Sequence, residues 1–545
     1  MFTLTINGIK KEYNEPVMVK DLIKEYNVNA LAAKVNGKII EMNYYIYSDS
    51  FVEFVDTKDP EVVKMYESTL RYLILKVLYE MFPSKKVIVS NFVSRSLKFH
   101  IRKYNLTEDD VNRIKARLQE IIDLDLPIVK KRVKKEELIE IYKAQQYIEK
   151  VNMLKYNGNQ TLKVYECDGY YNYMFSMMLP STKYITKYEI NAYDYGFYVQ
   201  YPRYEENGMI PEFEDCEAFR NMIDTQIRWT RRCGIKNISD MNELVSTKEG
   251  QINFVNMCET KQSNMLAELG TLIESKKDSI KLIAIAGPSS SGKTTFCNKL
   301  RIELMTKGIT PLMISIDDYY KDRGEYPLDE NGNPDYEHLE ALNVDLFNEH
   351  LTKLINGEEV ALPKFNFEEG RSYFSEKKVK LEKGQPILIE GIHALNERLT
   401  GAIPRENKFK IFISPLAVLN FDNHSPISAT DLRMLRRIVR DSLYRGASPE
   451  NTLVLWDNVR KGEFKWIYPF QNEADYTYNT ELTYEIMVMK KYALPALLTV
   501  KKGSAYYGKV RTLITFMMMM KDIDEKLVPC NSLLREFIGG SCFYE

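Results

Sequence analysis

The run Gly287-Pro288-Ser289-Ser290-Ser291-Gly292-Lys293-Thr294-Thr295 carries the most specific chemistry in this sequence. Its spacing is G-x-x-x-x-G-K-[ST], set between an apolar stretch (281–286) and a helix-forming one (296–307). Gly287 and Gly292 let the backbone turn so that successive N–H groups, and the N-terminus of the next helix, face a phosphate. Ser289, Ser290, Ser291, Lys293, Thr294 and Thr295 complete the expected cradle. Within it the Lys293 ammonium suits the β- and γ-phosphates of ATP, and the Thr294 hydroxyl suits Mg²⁺. A Gly-Ser loop that binds no nucleotide is the alternative, and the flanking strand and helix argue against it.

Two acids stand where later apolar stretches end. Residues 312–316 lead into Asp317-Asp318, and residues 386–389 lead into Glu390-Gly391. In open parallel sheets ligands sit beyond the carboxyl ends of the strands. Asp317 is therefore expected near the γ-phosphate, as the acceptor of a hydroxyl proton or as a metal ligand, and Glu390 as a support for Mg²⁺ or its water shell. Either acid could instead cap a turn; two of them ending strands behind a phosphate loop favour the chemical role. Arg433, Arg436, Arg437 and Arg440 follow at i, i+3, i+4 and i+7, with Arg445 just beyond. Like charges on one helix face repel unless an anion or acids lie opposite. They read as a lid that neutralises charge on a transferred group; the structural alternative pairs them with Asp431, Asp441 and other acids.

The elements that must position these groups form a multidomain α/β chain. Five segments are expected: 1–60, 61–225, a connector at 226–279, 280–480, and a helical extension at 481–545. The first has strand-like residues around Asn7-Gly8 and Asn36-Gly37, dipeptides that accept the positive φ angles of tight hairpins. A short amphipathic helix lies between them (17–26), and an alternating strand at 51–55 closes the unit. This order is that of a small β-grasp domain. In the second segment, 61–81 is a long helical pattern, and 107–122 starts with Thr-Glu-Asp-Asp, a capping-box-like sequence. Lys130, Lys131, Arg132, Lys134 and Lys135 form a basic cluster that could meet RNA phosphates or be a solvated strand edge balanced by Glu136 and Glu137. The latter is favoured.

The chain of 545 residues holds 75 Lys+Arg against 76 Asp+Glu, which argues against a polybasic nucleic-acid wrapper or an acidic disordered tail. No apolar run reaches the length of a membrane span, and the first residues lack a secretory pattern. Seven scattered cysteines without a C-x-x-C pair read as thiols of a reducing compartment. A cytoplasmic location is expected.

The motifs GPSSSGKTT, SIDDYY, PDYEHLEALN, ILIEGIH and LRMLRRIVRDSLYRG, in this order, resemble the phosphoribulokinase/uridine kinase family over about residues 280–480. The resemblance implies a P-loop NTPase with a parallel sheet and helices on both faces, using ATP and Mg²⁺. It gives Asp317 the place of the catalytic base and Arg433, Arg436 and Arg437 that of an arginine-rich lid. Asp335, Glu337 and His338 fall where the family grips ribose hydroxyls. Phe365 keeps an aromatic of the substrate segment 362–371, which ends in Arg371. Two departures stand out. Glu337 is one methylene longer than the family's Asp, and Gly370 or a neighbour replaces a base-reading His, so pyrimidines should be discriminated less well.

Residues 1–60 resemble a TGS domain, and parts of 61–225 resemble the second additional (editing) domain of threonyl- and alanyl-tRNA synthetases. At that domain's zinc-ligand positions stand Glu67, Arg71, Met174 and Met178, and arginine cannot ligate zinc. Editing hydrolysis is therefore not expected. The reading that follows is ATP-dependent phosphorylation of a small-molecule hydroxyl, most simply the 5′-OH of a nucleoside. The alternative is a regulatory ATPase whose front half binds RNA, tRNA or a protein partner. A homo-oligomer is possible on either reading.

Overall fold

The computed structural model describes residues 1–329, 332–366, 369–417 and 419–543. Phe367 and Glu368 of the substrate segment, and the last two residues of the extension, fall outside these.

Both Asn-Gly dipeptides form the expected turns. Asn7 (φ 51°) with Gly8 (φ 80°), and Asn36 (φ 50°) with Gly37 (φ 78°), are left-handed pairs, the conformation that a two-residue hairpin needs. The strands assemble in the order Ile9–Tyr13, Phe2–Ile6, Ser50–Val55, Ala32–Val35, Lys38–Ile40, with a parallel pairing of Phe2–Ile6 and Ser50–Val55. Helix Val19–Glu25 buries Val19, Leu22 and Ile23 against this sheet.

Helix Pro60–Met81, capped by the Asp59 carboxylate, is apolar almost all round and forms the centre of the next unit. A four-stranded antiparallel sheet (Glu189–Tyr193, Gly196–Gln200, Leu97–Ile101, Val87–Asn91) and helix Glu108–Asp123 pack on it. The latter helix begins in a true capping box, Thr107 with Asp110. Arg71 pairs with Glu67 at 2.7 Å, and Met174 and Met178 lie in the apolar core. The basic run forms strand Val129–Lys134 at the edge of a three-stranded sheet. Lys130 pairs with Glu41 (2.7 Å) and Lys131 with Glu166 (3.1 Å), so the run is a solvated, partly neutralised edge.

In the stretch 226–279, helix Lys248–Glu274 inserts Phe254, Val255, Cys258, Leu266, Leu269 and Ile273 into the same core as the strand before the phosphate loop. Its polar residues cover the outer face, which gives the sequence its linker-like composition.

The second half is built on five parallel strands in the order Leu312–Ser315, Ile387–Glu390, Leu282–Ala286, Lys408–Ser414, Tyr476–Asn479. Alternate residues of the central strand face opposite cores. Ile283 and Ile285 meet Phe296, Leu300 and Leu304 of helix Lys293–Thr306, whereas Leu282, Ala284 and Ala286 lie with Phe347, Leu351 and Leu354 of helix Val344–Ile355. A strand buried on both sides reads as a continuous apolar run, and LIAIA is one. An antiparallel hairpin, Val360–Asn366 with Arg371–Val379, projects from this unit. The extension continues the core through helices Glu485–Leu498 and Tyr507–Met518.

The two halves are joined by a small hairpin, Asn420–Asp422 with Ser425–Pro426, that covers the edge strand Val87–Asn91. The Val89 N–H donates to Asn423 O at 2.8 Å and the Asn420 amide to Val89 O at 2.6 Å. Lys150 and Asp422 form an ion pair at 2.7 Å, each side chain 3% exposed. Among the described residues no helix is long and apolar enough to cross a membrane.

Candidate active site

The phosphate loop owes its shape to backbone conformations that few residues tolerate. Gly292 sits at φ 88° and Ser290 at φ 59°, and a Cβ on Gly287 would stand 2.3 Å from Ile413 O. The loop carbonyls are held from behind. Arg433 donates to Ser289 O at 3.1 Å, Arg436 to Ser290 O and Ser291 O at 3.4 Å each, and the Thr480 hydroxyl to Ser291 O at 2.6 Å. A peptide C=O and the following N–H point oppositely, so the outward Ser289 and Ser291 carbonyls leave the Ser290 and Gly292 N–H groups facing the loop, while the Ser291 N–H donates to Pro288 O at 3.2 Å. The Lys293 ammonium lies across the loop, donating to Gly287 O at 3.0 Å. The Ser290 and Ser291 hydroxyls are buried with no partner among the described residues. Inward N–H groups, a lysine and orphaned hydroxyls make a cradle that fits a polyphosphate.

Three acids gather beside it. Asp317, at the end of Leu312–Ser315, is partly buried; burial raises its carboxyl above the usual range, against the pull of Lys293. Glu390 ends its strand buried, accepting from the Ser315 hydroxyl at 3.3 Å. Burial, and then the Asp317 charge, push it up to about 7. Glu337 is likewise raised to about 7, first by burial and then by Glu463, against Arg437 and Lys293. The longer side chain at 337 packs on Gly462, where a Cβ would approach it to 2.5 Å. Thr294, Glu390 and Asp317 together offer the hard oxygen donors that suit Mg²⁺.

Other expected residues sit differently. Asp335 accepts the Glu337 N–H at 3.1 Å, and His338 accepts that of Glu340 at 3.0 Å while packing its ring on Trp466 (4.6 Å). Both therefore shape the loop that presents Glu337. Phe365 packs on Tyr320 (5.7 Å), and Arg371 is exposed where the second hairpin strand begins. It is Arg323 that covers Gly370, donating its N–H to Gly370 O at 2.7 Å, and Lys364 pairs with Asp318 at 2.7 Å.

The arginine face is split rather than a free lid. Arg433 is buried in a bidentate pair with Glu463, and Arg436 is buried against Glu485 at 2.6 Å. Neither acid is among those expected from local spacing. These two arginines brace the loop, and burial of both ion-pair partners prevents their swinging out. Arg437 remains partly accessible, donating to the Ser289 hydroxyl at 3.0 Å. Sequence reasoning missed Glu463, Glu485 and Thr480; nothing in the local pattern marks them.

A sequence profile described as the Phosphoribulokinase / Uridine kinase family matches residues 282–484, the span of the parallel sheet and its arginine helix. A uridine kinase of Bacillus pumilus is 33% identical over 196 residues, covering 36% of this chain and 83% of that protein. A uridine kinase of Staphylococcus haemolyticus is 32% identical over 195 residues, covering 36% and 84%. The chain belongs to the phosphoribulokinase/uridine kinase family. A solved structure of a putative fructose transport system kinase from Silicibacter sp. TM1040 aligns with 39% of this chain and 98% of that one, at 19% identity and a TM-score of 0.30. The family match does not reach the first 281 residues, so within this member of the phosphoribulokinase/uridine kinase family the kinase fold accounts for the second half.

Proposed function

We propose that the chain transfers the terminal phosphoryl group of ATP to the hydroxyl of a small molecule, in the first instance the 5′-OH of a nucleoside. The observation that carries this reading is the meeting of a braced phosphate loop with Asp317 and Glu390 at the ends of neighbouring strands. Lys293 and the loop N–H groups hold the phosphates, and Thr294 and Glu390 would hold Mg²⁺. The metal, when bound, neutralises charge on the phosphate oxygens. Asp317 orients the acceptor hydroxyl and takes its proton; burial raises its proton affinity, which favours that role. Arg437, partly accessible and bonded to the Ser289 hydroxyl of the loop, is the arginine assigned to the transferred group. Glu337, partly buried and within electrostatic reach of Asp317, is the candidate for gripping the acceptor's hydroxyls, with Phe365 lining the approach.

The front half belongs to the same proposal. The hairpin–helix–hairpin–strand order of residues 1–60, with its parallel pairing of first and last strands, supports a TGS-like β-grasp unit. The Glu67–Arg71 pair and the buried methionines support a synthetase-like fold that has lost its hydrolytic metal site. A cytoplasmic location completes the reading.

ADP release from ATP and Mg²⁺ against a panel of nucleosides tests it. Stimulation by one class is expected, with Lys293→Ala inactive at unchanged far-UV circular dichroism and Asp317→Asn losing turnover rather than ATP affinity. Turnover unchanged in Lys293→Ala would sink the assignment.

A further inference from the structure

The first turn of the helix after the phosphate loop is already in contact with a carboxylate. The Thr295 N–H donates to Glu536 Oε2 at 3.1 Å, across a sequence separation of 241 residues. Thr295 is the third residue of helix Lys293–Thr306. N–H groups of a first helical turn have no partner within the helix and carry the positive end of its dipole, so they are the groups a phosphate uses.

Glu536 is held there by a constructed segment. Leu533 and Phe537 are buried; Leu533 lies 3.5 Å from where a Gly292 Cβ would be, and Phe537 lies under the Arg436 guanidinium at 5.0 Å. The Lys299 ammonium donates to Asn531 O at 3.1 Å and the Ser532 hydroxyl to the Glu259 carboxylate at 2.6 Å. Arg535 ties the segment to itself through Val528 O at 2.6 Å and Glu525 O at 2.9 Å. The anchors are two apolar side chains, one backbone carbonyl, the Ser532 hydroxyl and the Arg535 guanidinium. The Glu536 carboxylate is the group that meets the first turn of the helix, and it is only partly buried.

We propose that Glu536 is an internal phosphate surrogate: its carboxylate holds an N–H of the nucleotide-phosphate cradle and must yield it when nucleotide binds. The proposal rests on the phosphate-binding reading of the loop given above. Because the apolar anchors fix the backbone, the gate is the Glu536 side chain and not a moving lid. A phosphate approaching the helix loses one N–H donor to the carboxylate and meets a like charge. Nucleotide affinity is thereby held below what the bare cradle would give, and the restraint acts on the phosphate end alone.

Calorimetric titration of the full chain with ATP and Mg²⁺, and separately with adenosine, tests this in the wild type, Glu536→Gln and Lys293→Ala. Gln keeps the size and the hydrogen-bond acceptor, so the fold is retained, and matching far-UV circular dichroism verifies it. Glu536→Gln should bind ATP about tenfold more tightly, the difference between a charge-assisted and a neutral hydrogen bond, with adenosine affinity unchanged. ATP affinity equal to or below wild type in Glu536→Gln, with binding lost in Lys293→Ala, overturns the gate and leaves the nucleotide site standing. Equal tightening for adenosine also overturns it, since the effect would not be on the phosphates. If none of the proteins binds ATP, the nucleotide reading falls and takes the gate with it.

Discussion

Glu390 shows how a single residue records its purpose as a cost to stability. Burial and the neighbouring Asp317 raise its proton affinity from an ordinary value of 4.5 to about 7. A carboxyl whose folded value lies above its unfolded one contributes stability below pH 4.5 and loses that contribution as pH rises through about 7. Glu390→Gln, neutral and of equal size, escapes the loss. The variant should match wild type near pH 4.5 and exceed it by roughly 2–3 kcal/mol at pH 8, a rise in Tm of about 2–3 °C. Equal melting temperatures at pH 8 would show that the site does not strain this group. The phosphate loop and both strand-end acids were legible in the sequence because each lies within one short run of residues. The role of Glu337 was legible only in part: its substitution for a shorter acid was visible, but not that Gly462 makes room for it.

At the scale of elements, the arginine helix is a brace with one working face. Arg436→Ala leaves the Glu485 carboxylate buried without its cation, which should cost about 3–5 kcal/mol in urea unfolding. Arg437→Ala leaves Asp441 paired with Arg440 at 2.8 Å, so it should cost less stability than Arg436→Ala while lowering turnover. Equal stability losses in the two variants would return the helix to the free-lid reading. The i, i+3, i+4 pattern located the charged face correctly, and a local pattern could do no more. Glu463 lies 30 residues from Arg433, and Glu485 lies 49 from Arg436, so the partners are set by tertiary packing. The packing of the stretch 226–279 is likewise set by tertiary structure. In helix Lys248–Glu274 the buried stripe is diluted by polar residues, and only the strand it packs against shows that the stripe is core. The Asn-Gly hairpins were legible to the residue, because a left-handed pair is a demand that few dipeptides meet.

Across the whole molecule, the hairpin at 420–426 makes the two halves one body. Asp422→Ala would strand the Lys150 ammonium in an interior where both side chains are 3% exposed, a loss of about 3–5 kcal/mol. Native-state hydrogen exchange should then show strands Val87–Asn91 and Lys408–Ser414 losing protection together, although they belong to different halves. Protection lost in one strand alone would mean that the halves unfold independently. None of this coupling was visible in the sequence: FDNHSP carries no chemistry of its own, and its meaning lies in the sheet edge it covers.

The same hairpin has a consequence in time. Lys150 leaves the ribosome 272 residues before Asp422, an interval of about 15–55 s at roughly 5–20 residues per second. Throughout it the front half holds a buried-site ammonium without its carboxylate and an open strand edge at Val87–Asn91. Those residues are covered only after the phosphate loop and both strand-end acids have been made. The half that is synthesised first thus stays incomplete until residues of the second half have been made.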